Sequence, residues 1–301
     1  MINGIINVYK EKGYTSHDVV AKMRGILKMK KIGHTGTLDP DAEGVLPLCI
    51  GKATKLVDMI TDKDKTYEAV MKLGVTTDTQ DLTGQVLTSS EVNLREEEVI
   101  SAIQSFIGEY MQLPPMYSAI KVDGKKLYEL AREGKEIERK RRLVKIYDIR
   151  ILQMNLKEHE VTVSVDCGKG TYIRTLLHDI GEKLGCGAAM KSLLRTAVGS
   201  FHLDNALKLS EIEKLAKENK LGDYIIPLDA MFLSYPKKIV AKEYQKLIYN
   251  GNPFREKHLM EGNKDFTDGW VRVYDSYDTF VGIYQFDSKK NSYVPIKMFL
   301  S

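Results

Sequence analysis

The stretch from Gly33 to Pro47 carries His34, Asp39, Asp41 and Glu43 among three glycines and two prolines. Carboxylates serve as nucleophiles, or as general acids and bases, once a fold positions them and balances their charge. Histidine moves protons near neutral pH. Glycine admits unusual backbone angles and close approach, and proline fixes the backbone, so the stretch reads as an ordered loop. Asp39 stands out because Pro40 biases it towards an extended backbone. Spacing alone does not separate it from Asp41 and Glu43, since a turn of solvated acids has the same composition. His34 reads equally as a hydrogen-bonded loop histidine.

Four more side chains gain interest from their neighbours. Tyr67 lies on a strand pattern, and Tyr172 and Arg174 open a helix, where a charge partner would have a fixed platform. By base rates Tyr67, Tyr172 and Leu193 are core or half-buried residues. Nucleotide motifs fail: Gly185 to Ser192 resembles a phosphate loop, but Met190 stands where a glycine is needed, and Gly168-Lys-Gly170 is a weak signal. The six histidines have no metal-ligand spacing. Cys49, Cys167 and Cys186 are scattered and unpaired, as suits reduced thiols in a cytosolic protein.

The elements that must hold these groups follow from pattern. A strand over Gly4 to Tyr9 precedes a helix capped by Thr15 or Ser16, with Val19, Val20, Met23, Ile26 and Leu27 at helical spacing. Leu46 to Ile50 is a strand and Thr54 to Ile60 a helix; Lys65 to Leu73 is a strand and Asp78 to Gly84 a polar turn. Asn93 with Glu96 caps a helix to about Phe106. Tyr117, Ile120 and Val122 form a strand, turned by Asp123-Gly124 into a helix over Leu127 to Arg132. Val161, Val163 and Val165 alternate with polar residues. Helices run from Thr171 to Leu184 and from a Ser210/Glu213 cap, with a strand over Met190 to Val198 between them. Beyond Pro236 a helix from Ala241 to Asn250 and three aromatic-rich strands suggest a small, mostly β domain.

The chain has 301 residues, 43% of them hydrophobic, and a formal net charge of only +4. No apolar run approaches the roughly 18 residues of a membrane span, and the N-terminus has no signal layout. Between Lys121 and Lys145 ten Lys/Arg face five Asp/Glu, and Arg139, Lys140, Arg141 and Arg142 are consecutive. Such a cluster is a solvated face or a set of phosphate contacts.

Six ordered blocks resemble the TruB family of tRNA pseudouridine synthases. They are Gly13-Tyr-Thr-Ser16; Gly33-His-Thr-Gly-Thr-Leu-Asp-Pro40 with Glu43-Gly-Val-Leu-Pro47; Lys65-Thr-Tyr67; Pro114 to Gly124; Cys167-Gly-Lys-Gly-Thr-Tyr-Ile-Arg174; and Leu193-Leu-Arg-Thr-Ala-Val-Gly199. The resemblance implies an α+β fold, a mixed or antiparallel pseudouridine-synthase-type sheet flanked by helices. It implies a catalytic domain over 1–235, with an RNA-gripping insertion at about 117–142, and a PUA-like RNA-binding domain over 236–301. It assigns isomerisation of uridine 55 in the T loop of tRNA, with Asp39 as catalytic carboxylate. Arg174 would pair with Asp39, Tyr67 would stack on the flipped uracil and help remove a proton, Tyr172 and Leu193 would line the pocket, and His34 would position the nucleotide. Arg139 to Arg142 would contact the RNA backbone. The expected partner is the tRNA T arm, met by a cytoplasmic monomer without metal or organic cofactor.

One departure is visible: Glu11 stands where the family usually has proline in the turn before Gly13. Two other readings compete. A carboxylate-dependent RNA N-glycosylase would need a second acid, Asp41 or Glu43. A non-catalytic RNA-binding or RNA-folding protein would need only the basic insertion and the C-terminal domain.

Overall fold

The computed structural model describes residues 2–118, 120–122, 124–262 and 268–300. Its first strand, β1 (Gly4–Lys10), leads through a turn into α1 (Ser16–Leu27). Thr15 caps α1: its hydroxyl accepts from Asp18 N, and the Asp18 carboxylate accepts from Thr15 N at 2.9 Å. Val19, Val20 and Met23 are buried, as the helical spacing requires. Then come β2 (Ile32–His34), β3 (Glu43–Ile50), α2 (Val57–Thr61), β4 (Lys65–Leu73) and the hairpin β5 (Val75–Thr77) with β6 (Val86–Ser89). After α3 (Glu96–Gln104) and β7 (Gly108–Gln112) lies the excursion β8 (Lys121–Val122), β9 (Lys125–Lys126) and α4 (Leu127–Arg132). The long strands β10 (Arg142–Asn155) and β11 (Glu160–Cys167) precede α5 (Ile173–Leu184), β12 (Ala188–Val198), β13 (Phe201–His202) and α6 (Leu209–Lys217).

The main sheet runs β1-β3-β12-β4-β11-β10-β7, with β2 added to β3 and β13 to β12. Its pairs are antiparallel except β12 with β3, which touch in parallel through only Leu194 with Glu43 and Arg195 with Gly44. At that seam Gly44 has φ 106, and a Cβ there would strike the Arg195 backbone. The loop carrying Asp39 therefore enters over the middle of the sheet.

Alternation explains the core. Val161, Val163 and Val165 of β11 are buried, and join Ala69, Met71 and Leu73 of β4 and Ile173, Leu176, Leu177 and Ile180 of α5 in one cluster. Each Val, Leu, Ile or Met among them contributes about 1.5–3 kcal/mol by leaving water. A second cluster packs α1 and α6 on β1 and β3, through Val19, Met23, Ile6, Leu46 and Ile212. The three cysteines are free and buried, and burial pushes the Cys49 and Cys167 thiols up to about 12.

The C-terminal unit is a four-stranded sheet ordered β14 (Lys237–Ile239), β15 (Trp270–Tyr274), β16 (Phe280–Asp287) and β17 (Ser292–Met298), with a short α7 (Gln245–Tyr249). Phe280, Ile283 and Phe299 carry it into a shared cluster with Phe232, Ile5, Val45 and Cys49, so it docks on β1 and β3.

Several local expectations are corrected. The Thr54–Ile60 helix is a 3-10 turn over Gly51–Leu56 followed by α2, because Gly51 N and Lys52 N are tied to Lys31 O and Asn3 Oδ1. Helix α3 is capped by Glu98, which accepts from Arg95 N at 2.8 Å, not by Asn93. Likewise Glu211 accepts from Lys208 N at 2.7 Å, displacing the Ser210/Glu213 cap. Tyr117 to Val122 is no continuous strand, since Ser118 and Ile120 carbonyls accept from the first turn of α4. Asp123 of the expected turn lies outside the described residues. The helix at 241–250 is a 3-10 turn (Lys242–Tyr244) plus α7.

Candidate active site

Asp39 sits in the loop between β2 and β3, and that loop is tied down on both sides. Leu38 N donates to Ser16 Oγ at 2.9 Å, at the start of α1. The Pro40 carbonyl accepts from Gly13 N at 2.9 Å and from Lys10 Nζ at 3.0 Å. Lys10 is fully buried, and burial lowers its ammonium to about 8. Ala42 N closes a turn on Asp39 O at 3.1 Å.

Arg174 projects from the first turn of α5 to meet this loop. Its Nε lies 2.9 Å from Asp39 Oδ2, and its Nη2 donates to Asp39 Oδ1 at 3.4 Å. The rest of the guanidinium is held by the carbonyls of Thr79 at 2.9 Å and Tyr117 at 2.8 Å, with Asp81 Oδ2 at 3.7 Å. The Arg174 side chain is 6% exposed and that of Asp39 40% exposed, so the fork is fixed from behind while the carboxylate faces the cavity. Loss of water raises the Asp39 carboxyl above its ordinary value, against the opposing pull of Arg174.

A cavity of about 570 Å³ lies over this pair, a size suited to a small ligand or an extruded base. Tyr67, Tyr172, Leu193 and Arg142 line it with Asp39 and Arg174. Leu193 pairs with Ala69, and Arg195 with Tyr67, across β12 and β4, which puts all four on one face. Tyr67 is buried, which raises its phenol, with Arg195 opposing. Tyr172 immediately precedes α5; its backbone exchanges two hydrogen bonds with the Gln112 side chain, at 2.8 and 3.0 Å. A second cavity, of about 560 Å³, opens on the other side of Asp39 towards Lys126, Tyr128 and Arg132.

The structure thus brings together Asp39, Tyr67, Tyr172, Arg174 and Leu193. His34 is not on the wall of either cavity; it packs edge-on against His17, centroids 5.0 Å apart, and burial lowers its pKa. The basic run divides. Arg142 lines the cavity, whereas Arg139, 16% exposed, donates to the Pro114 carbonyl at 3.1 Å and pairs with Glu136. Arg141 donates to the Met111 carbonyl at 3.0 Å.

Sequence reasoning missed Asp81, Gln112 and Arg195. Asp81 stands in a polar turn where its carboxylate accepts from Thr79 Oγ1 and Thr83 N and Oγ1, as any turn aspartate would. Arg195 had a signal: it lies two residues after Leu193 on a strand, hence on the same face.

Residues 24–173 match the model of the TruB family pseudouridylate synthase N-terminal domain, and residues 174–233 that of the tRNA pseudouridylate synthase B C-terminal domain. The chain is 56% identical to tRNA pseudouridine synthase B of Lachnoclostridium phytofermentans, over 99% of this chain and 100% of that protein. It is 48% identical to the Clostridium novyi protein of the same name, over 96% and 97%. Among solved structures, a chain of a Cbf5-Nop10-Gar1 complex superposes with a TM-score of 0.72 at 28% identity, covering 99% of this chain and 85% of that one.

Proposed function

Since this chain belongs to the TruB family of pseudouridylate synthases and isomerises uridine in tRNA to pseudouridine, we propose that Asp39 is the carboxylate that does so and that the target is uridine 55 of the T loop. The observation that carries the assignment is the two-pronged contact of Arg174 on Asp39 inside a cavity walled by Tyr67, Tyr172 and Leu193.

The reaction breaks the bond between N1 and the ribose anomeric carbon, turns the base, and joins C5 to that carbon. C5 then loses its proton while N1 gains one, so the atoms balance without an oxidant or a hydrolytic water. Asp39 serves attack on the anomeric carbon, addition to the ring, or elimination of the base. In each route Arg174 keeps it ionised and aimed. Extruding the base from the RNA loop costs a few kcal/mol of stacking, which Tyr67 and the apolar wall offset. Enclosure keeps the detached base from diffusing away. Tyr67 receives the C5 proton. His34 supports the nucleotide indirectly, through His17.

The insertion at about 117–142 grips RNA by shape and charge, with Lys140, Arg141 and Arg142 towards the phosphates. The 236–301 unit is a PUA-like domain that extends the RNA contact beyond the catalytic domain of 1–235. The enzyme acts as a monomer in the cytoplasm. None of the described helices is long and apolar enough to cross a membrane.

The deciding experiment is incubation with unmodified tRNA transcript and nucleotide-resolution mapping. A single pseudouridine at position 55 is expected. Free uracil would identify an N-glycosylase instead, and an unchanged transcript would leave only RNA binding.

A further inference from the structure

Arg195 is a cation buried to 1% exposure. Among the described residues no carboxylate lies at ion-pair distance from it, and the titratable side chain that acts on its charge is Tyr67. Burying a guanidinium without an anion is costly, so its retention calls for a compensating role. Its geometry is fixed. Nε donates to Val45 O at 2.7 Å and Nη2 to Gly36 O at 3.4 Å, both on the segment that carries Asp39. Gly36 holds φ 132, the left-handed region that favours glycine, and so presents its carbonyl to Arg195. Across the β12–β4 ladder Arg195 is the direct partner of Tyr67, and both line the cavity that Asp39 also lines. The other charged neighbours of Arg195 are basic: Lys10 from β1, His34 from β2 and Lys65 from β4. Tyr67 is faced by Arg195, by Cys167 of β11 and by Asp39.

We propose that Arg195 is a positioning residue for the closing proton transfer: it holds the Tyr67 oxygen in that cavity and offsets the negative charge that oxygen carries as a phenolate. This rests on the reading that Tyr67 faces the flipped uracil. In the step, the phenolate oxygen of Tyr67 takes the proton from C5 of the rejoined base. The C5–H electron pair restores the C5–C6 double bond, the C6–N1 double-bond pair passes to N1, which takes a proton from water, and Tyr67 becomes a neutral phenol. Arg195 remains a cation throughout and transfers nothing. After product leaves, the phenol returns its proton to solvent, and because burial raises the phenol while Arg195 opposes that rise, Arg195 enlarges the phenolate fraction that can act. The backbone carbonyls of Val45 and Gly36 orient the guanidinium without neutralising it, which leaves its full charge for the tyrosine oxygen.

The test compares the wild-type enzyme with Arg195→Met and Arg195→Lys, using tRNA carrying protium or deuterium at uridine C5. With Arg195→Met, kcat at neutral pH should fall about 100-fold, the scale of a lost general base, with KM for tRNA little changed. Activity should recover towards alkaline pH, and deuterium should slow turnover more than in the wild type. Arg195→Lys keeps the charge and should restore part of the rate. A loss of kcat with an unmoved pH profile and no added isotope effect would reduce Arg195 to a structural role and overturn the proposal. If Arg195→Met does not fold, carbon-13 NMR of the tyrosine-labelled polar but uncharged variant Arg195→Gln decides, with the Tyr67 signal assigned by its absence in Tyr67→Phe. The phenolate midpoint should move up relative to wild type, and an unmoved midpoint overturns the idea. Wild-type protein that forms no pseudouridine would refute the reading of the cavity itself, a separate result.

Discussion

Arg174 Nε lies 2.9 Å from Asp39 Oδ2, and the two residues are 135 positions apart in the chain. The contact joins the first turn of α5 to a loop tied down by Ser16, Gly13 and Lys10. It therefore reports on the assembly of the whole catalytic domain, and the chemistry depends on its geometry. Asp39→Asn keeps the shape and removes the charge, so pseudouridine formation should fall to background while tRNA affinity in a filter-binding assay stays near wild type. Activity at the wild-type level would end the catalytic assignment. Arg174→Lys keeps the charge and loses the fork, and should cost about 100-fold in single-turnover rate from misplacement alone.

The same pair sets a pH dependence. The active form of Asp39 is the carboxylate, and loss of water raises its pKa above the ordinary aspartate value, with Arg174 opposing. Activity should therefore be lost as pH falls through that raised value, at a higher pH than an ordinary aspartate, near 3.9, would give. Removing the cation with Arg174→Met must move this acid limb further up. Single-turnover rates across acidic pH measure both midpoints, and a downward move in Arg174→Met would contradict the account.

Asp81 stands behind Arg174, its Oδ2 3.7 Å from Nη1 and its Oδ1 bonded to Thr79 and Thr83. It touches no reacting atom, so its effect passes through the guanidinium. Asp81→Asn should lower the single-turnover rate less than Asp39→Asn does, with tRNA affinity retained. A rate equal to wild type would show that the Thr79 and Tyr117 carbonyls suffice to aim Arg174.

Much of this site is legible in local pattern, and the remainder depends on pairings between distant segments. The alternation of β4 places Tyr67 in a buried row with Ala69 and Met71, and the glycines and prolines around Asp39 mark an ordered loop. Helix α1 forms where its cap and spacing put it, because Thr15 and Asp18 satisfy each other within one turn. Asp81 has no such local mark: an aspartate bonded to nearby threonines looks the same whether or not an arginine lies behind it. The caps of α3 and α6 fall elsewhere than pattern puts them, because a glutamate in the first turn accepts from a backbone N–H and makes the side chain before it dispensable. By pattern Arg139 belongs to a surface run, yet only the folded insertion reveals the Pro114 carbonyl that claims it.

That division of the basic run gives a separable outcome. Arg142 lines the cavity, and Lys140 is exposed. Lys140→Ala with Arg142→Ala should weaken tRNA binding and flatten its salt dependence by about one unit of slope for each phosphate no longer neutralised. Arg139→Ala should leave the slope unchanged and instead lower the stability of the insertion, seen as faster proteolysis within 117–142. If all three substitutions flatten the slope alike, Arg139 reaches RNA by abandoning the Pro114 carbonyl.

Lys10 carries the last prediction, because its burial sets stability against function. The ammonium is fully buried and held at about 8, below its ordinary 10.5. A lysine whose pKa is lowered on folding binds fewer protons folded than unfolded, so it destabilises the fold at neutral pH. That cost is present in full below about 8 and fades as pH rises from there towards 10.5. Lys10→Met removes it, and should raise the melting temperature at neutral pH and abolish the part of the stability gain seen between those two values. The same substitution deletes the 3.0 Å bond to the Pro40 carbonyl, next to Asp39. Single-turnover rate should therefore fall while thermal stability rises. Calorimetry across that pH window and a rate measurement on one preparation test both halves. A less stable Lys10→Met would mean that the bonds of Nζ to Pro40 O and Glu11 O outweigh the cost of burying the charge.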